Sequence, residues 1–183
     1  TQGNISQGLM ACGFDGTSQD YDQIQKAKEW LLNLNSNVKA YALPADVRDS
    51  MIRNEAAVAY MYSGNIVQAM GENDKIRLAL NNEKISLSMD TFVILKGTKH
   101  KTEAELFLNF LLRPEISAKL IEQFPYVCFN KAAVDYLPEN LANSPLVVLT
   151  DDLKNRIYMY NTFDGDGITY GIEAMTEVKT ARG

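Results

Sequence analysis

Aromatic side chains near predicted strand ends and loops are the residues of this sequence best suited to chemistry with a ligand. They are Tyr60, Tyr62, Tyr126, Phe129, Tyr158, Tyr160 and Phe163. An aromatic face attracts an organic cation and packs against its methylene groups, and a tyrosine hydroxyl accepts a hydrogen bond from an ammonium. Ligand sites of α/β folds lie at strand ends. The set therefore favours a site for a small cation, whereas packing alone would explain any single tyrosine.

Side chains for catalysis or metal binding are scarce. The sequence has one histidine, His100, and two widely separated cysteines, Cys12 and Cys128, which we expect to be buried thiols. It has no glycine–x–serine–x–glycine turn and no phosphate-binding glycine loop. Aspartate pairs at 151–152 and at 164 and 166 are interpreted as helix caps and turn residues. These features predict a protein that is not an enzyme, with no metal site and no cofactor.

Composition and charge exclude some partners. The chain has 183 residues, 46% of them hydrophobic, so it can bury a core of its own. A net charge of −5 argues against nucleic acid, which requires a basic surface, and suits a cationic ligand. No apolar run approaches the roughly 20 residues needed to cross a bilayer. The sequence opens at Thr1 inside a predicted helix, so we interpret it as a piece of a longer protein.

Helices and strands are predicted to alternate along the chain. Helical periodicity covers the region from Ile5 to Cys12, and Gly13 ends it. Apolar runs bounded by turn residues predict strands at 38–43, 56–62, 76–80, 84–87 and 92–95, with a turn at 81–82. Helix starts are predicted at caps or prolines, namely Asp20, Pro44, Ser63, Thr102, Pro114 and Thr150, and the helix after Thr150 is expected to continue through Tyr158. This alternation indicates an α/β fold.

Four segments carry a recognisable pattern. Residues 57–65 read AVAYMYSGN, and residues 86–94 read SLSMDTFVI. A predicted helix ends in NFLLRPE at 109–115, and residues 124–133 read FPYVCFNKAA. In this order they resemble the spermidine/putrescine-binding proteins of ABC transporters. The resemblance extends over nearly the whole chain, with the first forty residues matching only in pattern.

The resemblance implies a set of site residues. Tyr62 and Tyr126 would be aromatic walls, Asp90 would anchor an ammonium group, and Asn161 would supply a polar contact. Ser88 stands where the family usually has tryptophan, and Tyr62 replaces the commoner tryptophan as well. The alternatives are a solvated carboxylate at a strand start for Asp90 and a loop plug over the core for Tyr126.

The resemblance also implies an architecture. Family members have two α/β lobes of the type II periplasmic-binding-protein fold, each a mixed sheet flanked by helices, with the solute in the cleft between them. Residues 1–88 and 135–183 would then belong to the second lobe and residues 89–134 to the first, so the fold would be incomplete without the N-terminal lobe. The apolar faces of 89–134 would lack a partner, and we expect a homodimer or an exchange of segments between copies.

The implied function is extracytoplasmic capture of spermidine or putrescine for import by hinge closure. ABC permease subunits would be the partners, and a lipid anchor or a fused membrane segment would hold the protein at the membrane. Two alternatives stay open. The same fold could bind another organic cation, an anion or a metal complex, or the lobe could serve as a sensory or enzymatic module.

Overall fold

The computed structural model describes residues 2–80, 85–159 and 161–181, and these residues are mainly helical. Their longer helices are α1 (Gln2–Ala11), α2 (Tyr21–Leu34), α3 (Pro44–Ile52), α4 (Ser63–Glu72), α5 (Lys101–Leu111), α6 (Pro114–Gln123) and α9 (Gly165–Thr180). The shorter ones are α7 (Glu139–Ala142), α8 (Asp151–Arg156) and 3-10 helices at Asn35–Asn37 and Lys131–Tyr136. Strand β1 (Ile85–Leu87) pairs with β2 (Ile157–Met159) in a two-stranded sheet.

The chain divides into two compact units. Unit 1 comprises Thr1–Tyr41 and Met159–Gly183, and unit 2 comprises Ala42–Tyr158. The lobe boundaries expected from the resemblance, after residues 88 and 134, both lie inside unit 2. The assignment of 1–88 and 135–183 to one lobe and 89–134 to the other therefore stays a prediction about a longer protein.

Unit 1 is built on helices α1, α2 and α9, which contact one another. Its buried side chains recur at helical spacing, so that each helix contributes one apolar stripe; they include Ile5, Leu9, Ile24, Ala27, Leu31, Ala174, Met175 and Val178. Gly8 lets α1 approach α2 closely, because a Cβ at Gly8 would lie 3.0 Å from the carbonyl oxygen of Ala27. The helical periodicity predicted from Ile5 to Cys12 is confirmed at Ile5 and Leu9, which are fully buried, whereas Cys12 is only partly buried.

Unit 2 has a smaller core around α6, the Lys131–Tyr136 helix and α7, formed by Ala118, Ala133, Leu137, Leu141 and Val147. Helix α3 packs against α4 in the same unit. A hydrogen bond joins that pair, since Arg48 Nη1 donates to Gln68 Oε1 at 3.0 Å. Gln68 Nε2 in turn donates to the carbonyl oxygen of Gln123 at 3.4 Å, which ties α4 to the end of α6.

Most of the predicted helix starts are confirmed. The Gln23 N–H donates to Asp20 Oδ1 at 2.9 Å, and the Leu153 N–H donates to Thr150 Oγ1 at 3.3 Å. Pro44 and Pro114 occupy the first turns of α3 and α6. Gly13, with φ of 82°, follows the end of α1, where a left-handed residue suits glycine.

Three helix boundaries were predicted wrongly. The residue before α5 is His100 rather than Thr102, and the residue before α4 is Tyr62 rather than Ser63. Neither of these two residues caps its helix through a side-chain hydrogen bond. Helix α8 ends at Arg156 because the chain then turns extended and pairs as β2, so the predicted continuation through Tyr158 is wrong.

The predicted mixed sheet flanked by helices is much reduced in the described residues. Of the predicted strands, Ile85–Leu87 is paired, whereas 38–43, 56–62, 76–80 and 92–95 are not, and the turn at 81–82 lies outside the described residues. A strand is stable only when a neighbour satisfies its N–H and C=O groups. The unpaired segments leave apolar side chains in solvent, with Val58 86%, Phe92 74% and Leu95 76% exposed.

Candidate functional site

Tyr62 and Tyr126 both lie at the first turn of α4, in unit 2. Tyr62 precedes the helix, and Gly64 is the second residue within it. The ring of Tyr126 lies directly on Gly64, because a Cβ at that glycine would be 2.9 Å from Cε1 and Cζ of the tyrosine. Both rings keep open faces, since Tyr62 is 58% and Tyr126 is 44% exposed. The structure thus places both predicted aromatic walls at one helix terminus.

The loop that carries Tyr126 is fixed by local bonds. Its N–H donates to the carbonyl oxygen of Phe124 at 2.7 Å, across Pro125, which is buried. Together with the bond from Gln68 to Gln123, this holds the chain after α6 against α4. The position of the Tyr126 ring therefore depends on a tight turn and on the absence of a side chain at Gly64.

Asn65, which residue type and spacing did not single out, follows Gly64 in α4 and carries an unsatisfied polar atom. Its Oδ1 is buried and has no hydrogen-bond partner among the described residues. A buried acceptor without a donor is costly, and because this atom is closed to solvent, a ligand N–H could pair with it only after neighbouring side chains moved. Asn65 is distinguished only by the burial of its Oδ1 atom, and the spacing of residues along the sequence does not reveal such burial.

The N-terminus of α4 is also open. The Ile66 N–H donates to the carbonyl oxygen of Tyr62, which is the residue before the helix. The side chain of Tyr62 makes no hydrogen bond to the N–H groups of the first turn. The N–H groups of the first turn therefore have no intrahelical acceptor, and they favour a negative or neutral acceptor group on a ligand. The helix terminus beside Tyr62 thus offers N–H donors to a ligand.

Ser88 and Asp90 lie on the segment that follows β1, in unit 2, and both are exposed. Asp90 makes no ion pair with any residue in the described ranges, so its carboxylate is available to a cation. The structure gives no contact that joins Ser88 or Asp90 to the tyrosine pair. Their roles as site residues stay predictions.

Asn161 belongs to unit 1 and is exposed. Its backbone carbonyl oxygen accepts a hydrogen bond from Gln2 Nε2 at 2.7 Å. Its role as a polar contact is likewise still a prediction.

The other aromatic residues of the predicted set differ in their surroundings. Tyr60 and Phe129 are exposed, whereas Phe163 is 4% exposed within the core of unit 1. Phe163 is therefore a packing residue rather than a ligand-facing one. Tyr160 lies outside the described residues.

Cavities in the described part of unit 2 include two that are lined by neither Tyr62 nor Tyr126. One of about 490 Å³ is lined by Met51, Asn54, Glu55, Lys75, Ile76 and Arg77, among others. The carboxylate of Glu55, which lines this cavity, already forms an ion pair with Arg53. The hydrogen bond to Glu55 and the charge of Glu55 raise the pKa of Arg53. The second, also of about 490 Å³, is lined by Leu112, Ser117, Ile121, Cys128, Phe129 and Lys131, among others.

Residues 2–80, 85–159 and 161–181 hold neither a candidate metal cluster nor a membrane-spanning helix. No cluster of three or more histidine, cysteine, aspartate or glutamate side chains there could hold a metal ion. None of the helices there has the length and apolar character to cross a membrane. Cys12 and Cys128 are free thiols, although both are only partly buried rather than buried as predicted.

Residues 1–149 match the model of a family described as bacterial extracellular solute-binding protein. The putrescine-binding periplasmic protein of Escherichia coli K12 is 25% identical over 88% of this chain and 45% of its own length. The spermidine/putrescine-binding periplasmic protein 1 of Haemophilus influenzae is 27% identical over 95% of this chain and 48% of its own length. The chain thus spans about half the length of these relatives.

The fold has a solved counterpart. A crystal structure of a spermidine/putrescine ABC transporter substrate-binding protein from Streptococcus pneumoniae, in complex with calcium and HEPES, matches with a TM-score of 0.82. It is 24% identical and is matched over 100% of this chain and 56% of its own. The periplasmic-binding-protein fold is thereby confirmed for the part of that architecture that the chain covers.

Proposed function

The chain belongs to the bacterial extracellular solute-binding protein family, and from this premise we propose that it captures a polyamine such as putrescine or spermidine for an ABC importer. Members of the family bind solutes and are not enzymes. The sequence-based exclusion of an enzyme is therefore confirmed. The identity of the solute is the proposed part.

The observation that carries the proposal is the placement of Tyr62 and Tyr126 at the start of α4. A diamine presents N–H donors at its ends and an apolar chain between them. The faces of Tyr62 and Tyr126 pack against the methylene groups, and both tyrosines attract the charge. The carboxylate of Asp90 anchors an ammonium group.

The mechanism is binding without bond rearrangement. Closure of two lobes about a hinge removes the amine from water, which strengthens its interactions with carboxylate and rings. Permease subunits then receive the solute unchanged, and the protein acts outside the cytoplasm, held there by a lipid anchor or a fused membrane segment. Support comes from the periplasmic relatives, which are named for putrescine or spermidine.

A second candidate solute is one that also carries an anionic group. The uncapped N-terminus of α4 favours negative charge, because its first-turn N–H groups receive no side-chain cap. A molecule with an ammonium and a carboxylate would satisfy the tyrosine faces and the helix terminus together. A diamine has no anionic group, so the N–H groups of the helix terminus would remain hydrogen-bonded to water.

The test is a titration of the 183-residue chain, followed by NMR, with putrescine, spermidine and an amino acid of similar length. We expect putrescine to bind in about the millimolar range, since the predicted site needs both lobes, and Asp90→Asn to weaken it about tenfold or more through loss of a charged hydrogen bond. Asp135→Asn is the matched control, because Asp135 is also an exposed aspartate of unit 2.

Two results would contradict the proposal, namely an equal loss in the Asp90 and Asp135 variants and an absence of amine binding in wild type. Preference for the amino acid would instead select the second candidate. Submicromolar putrescine binding by this chain alone would contradict the requirement for two lobes.

The apolar segments of unit 2 also lead to an association prediction. Phe92, Val93 and Leu95 are exposed, and α5 has no buried residue. Apolar area of this kind is covered by a partner in most proteins, so we expect the isolated chain to form a homodimer or to exchange segments between copies. Light scattering at increasing concentration checks this, and a monomer mass at all concentrations would show it to be wrong.

A further inference from the structure

Helix α4 receives the chain that follows α6 at two points on one face, and all the residues involved belong to unit 2. Gly64 and Gln68 are four residues apart in α4, so they lie one turn apart on the same side of the helix. The Tyr126 ring lies on Gly64, and Gln68 Nε2 donates to the carbonyl oxygen of Gln123 at 3.4 Å. A steric contact and a hydrogen bond therefore hold this stretch of chain against α4.

Arg48, on α3, fixes the orientation of the Gln68 amide. Its Nη1 donates to Gln68 Oε1 at 3.0 Å, and its Nε donates to Asp49 Oδ1 at 2.8 Å. Its Nη2 pairs with the same carboxylate oxygen at 2.7 Å, so Asp49 holds the guanidinium in place. A guanidinium can only donate, and it therefore binds the oxygen of the Gln68 amide and leaves the Nε2 group for the carbonyl of Gln123.

The carbonyl of Gln123 needs such a donor from outside its own helix. Gln123 is the last residue of α6, and the last four carbonyl groups of a helix have no intrahelical N–H to accept from. Gln68 Nε2 supplies one. A donor from a neighbouring helix at this position fixes the direction in which the chain leaves α6.

The connection from Gln123 to Tyr126 is short and closed. Phe124 and Pro125 separate the two residues, and the Tyr126 N–H donates to the carbonyl oxygen of Phe124 at 2.7 Å. Pro125 is buried, and its ring restricts its own φ angle. Because so few free backbone angles remain, a displacement at Gln123 is passed on to the Tyr126 ring.

The other side of Tyr126 is anchored as well. The Cys128 N–H donates to the carbonyl oxygen of Val147 at 2.8 Å, and Val147 is fully buried in the core of unit 2. The core anchor holds the chain after Tyr126, whereas the hydrogen bond from Gln68 holds the chain before it. Loss of the Gln68 bond therefore frees one side of the turn while the other stays fixed.

We propose that Gln68 and Arg48 are positioning residues of the solute site, which set the place of the Tyr126 ring at the first turn of α4. The inference rests on the proposed function, in which Tyr126 is an aromatic wall. Attraction between a cation and a ring depends on where the ring face lies, so a displaced ring binds the amine more weakly. A turn that is ordered during folding also spares that ordering cost during association.

The ring resonances of Tyr126 in NMR spectra test the positioning without a ligand. Gln68→Ala removes the donor to Gln123 and should shift these resonances. Gln68→Glu keeps an oxygen for Arg48 but places its second oxygen against the Gln123 carbonyl oxygen, so it should shift them too. Asn140→Ala, which removes an exposed amide from α7 of the same unit, is the matched control and should leave them unchanged. Unchanged Tyr126 resonances in Gln68→Ala would overturn the inference.

Titration of the 183-residue chain with putrescine tests the consequence for binding. Gln68→Ala and Gln68→Glu should each weaken binding about threefold to tenfold, as expected for a partly lost cation–π contact. Arg48→Ala should weaken it less, and the double variant with Gln68→Ala should be no weaker than Gln68→Ala alone, because Arg48 acts through Gln68. Asn140→Ala should keep wild-type affinity.

The outcomes separate the inference from the proposed function. Wild-type affinity in Gln68→Ala despite shifted Tyr126 resonances, or additive losses in the double variant, would overturn the inference and leave the proposed function standing. An absence of putrescine binding in wild type would overturn both.

Discussion

Replacing Gly64 with leucine should displace Tyr126 and weaken putrescine binding about tenfold or more, the loss expected when one wall of a cation site is removed. A Cβ at Gly64 would lie 2.9 Å from the Tyr126 ring, so any side chain there must move the ring or the helix. Gly64→Ala should also weaken putrescine binding, by a smaller factor than Gly64→Leu. NMR titration measures the affinity, and the ring resonances of Tyr126 report its displacement.

Gly71 supplies the control for this prediction. It lies in the same helix, and a Cβ added there would meet no other atom within 4 Å. Gly71→Ala should leave putrescine affinity unchanged and raise the free energy of unfolding by about 0.5–1 kcal/mol through helix propensity. Wild-type affinity in Gly64→Leu would show that Tyr126 is not part of the site.

Replacing Ile24 with alanine should lower the free energy of unfolding by about 2–5 kcal/mol, the range for a large-to-small change in a packed core. Ile24 is fully buried between α1, α2 and α9, where its neighbours have little room to collapse into the space left. Urea denaturation followed by circular dichroism gives the value. A loss of this size is a large fraction of the stability of an ordinary domain.

Ile172→Ala is the matched control in the same unit. Ile172 lies on α9 but is 53% exposed, so its truncation should cost much less than that of Ile24. Equal losses in the two variants would contradict the assignment of Ile24 to the core.

Local chemistry made most helices predictable from the sequence. The side-chain caps of Asp20 and Thr150 and the prolines that open α3 and α6 act within one turn, so their positions are visible in the order of residues. Strands at 56–62 and 92–95 were predicted from apolar runs, but pairing depends on distant chain. Their partners could not be inferred from the runs themselves.

The site was predictable only in part for the same reason. Tyr62 and Tyr126 stood out by residue type and by resemblance, and the structure places Tyr62 just before α4 and the Tyr126 ring on Gly64 in its first turn. Asn65 did not stand out, because only the burial of its side-chain oxygen distinguishes it. Such properties exist only after the chain has folded.

The uncharged run 56–62 has a consequence for handling the protein. Seven consecutive residues there carry no charge, no proline and no glycine, and Val58 and Tyr60 face solvent. Exposed stretches of this composition are hazards for cross-β stacking. Concentrated stocks of the isolated chain are therefore expected to deposit insoluble fibrils over time, and a charge engineered at position 58 or 60 should slow that loss.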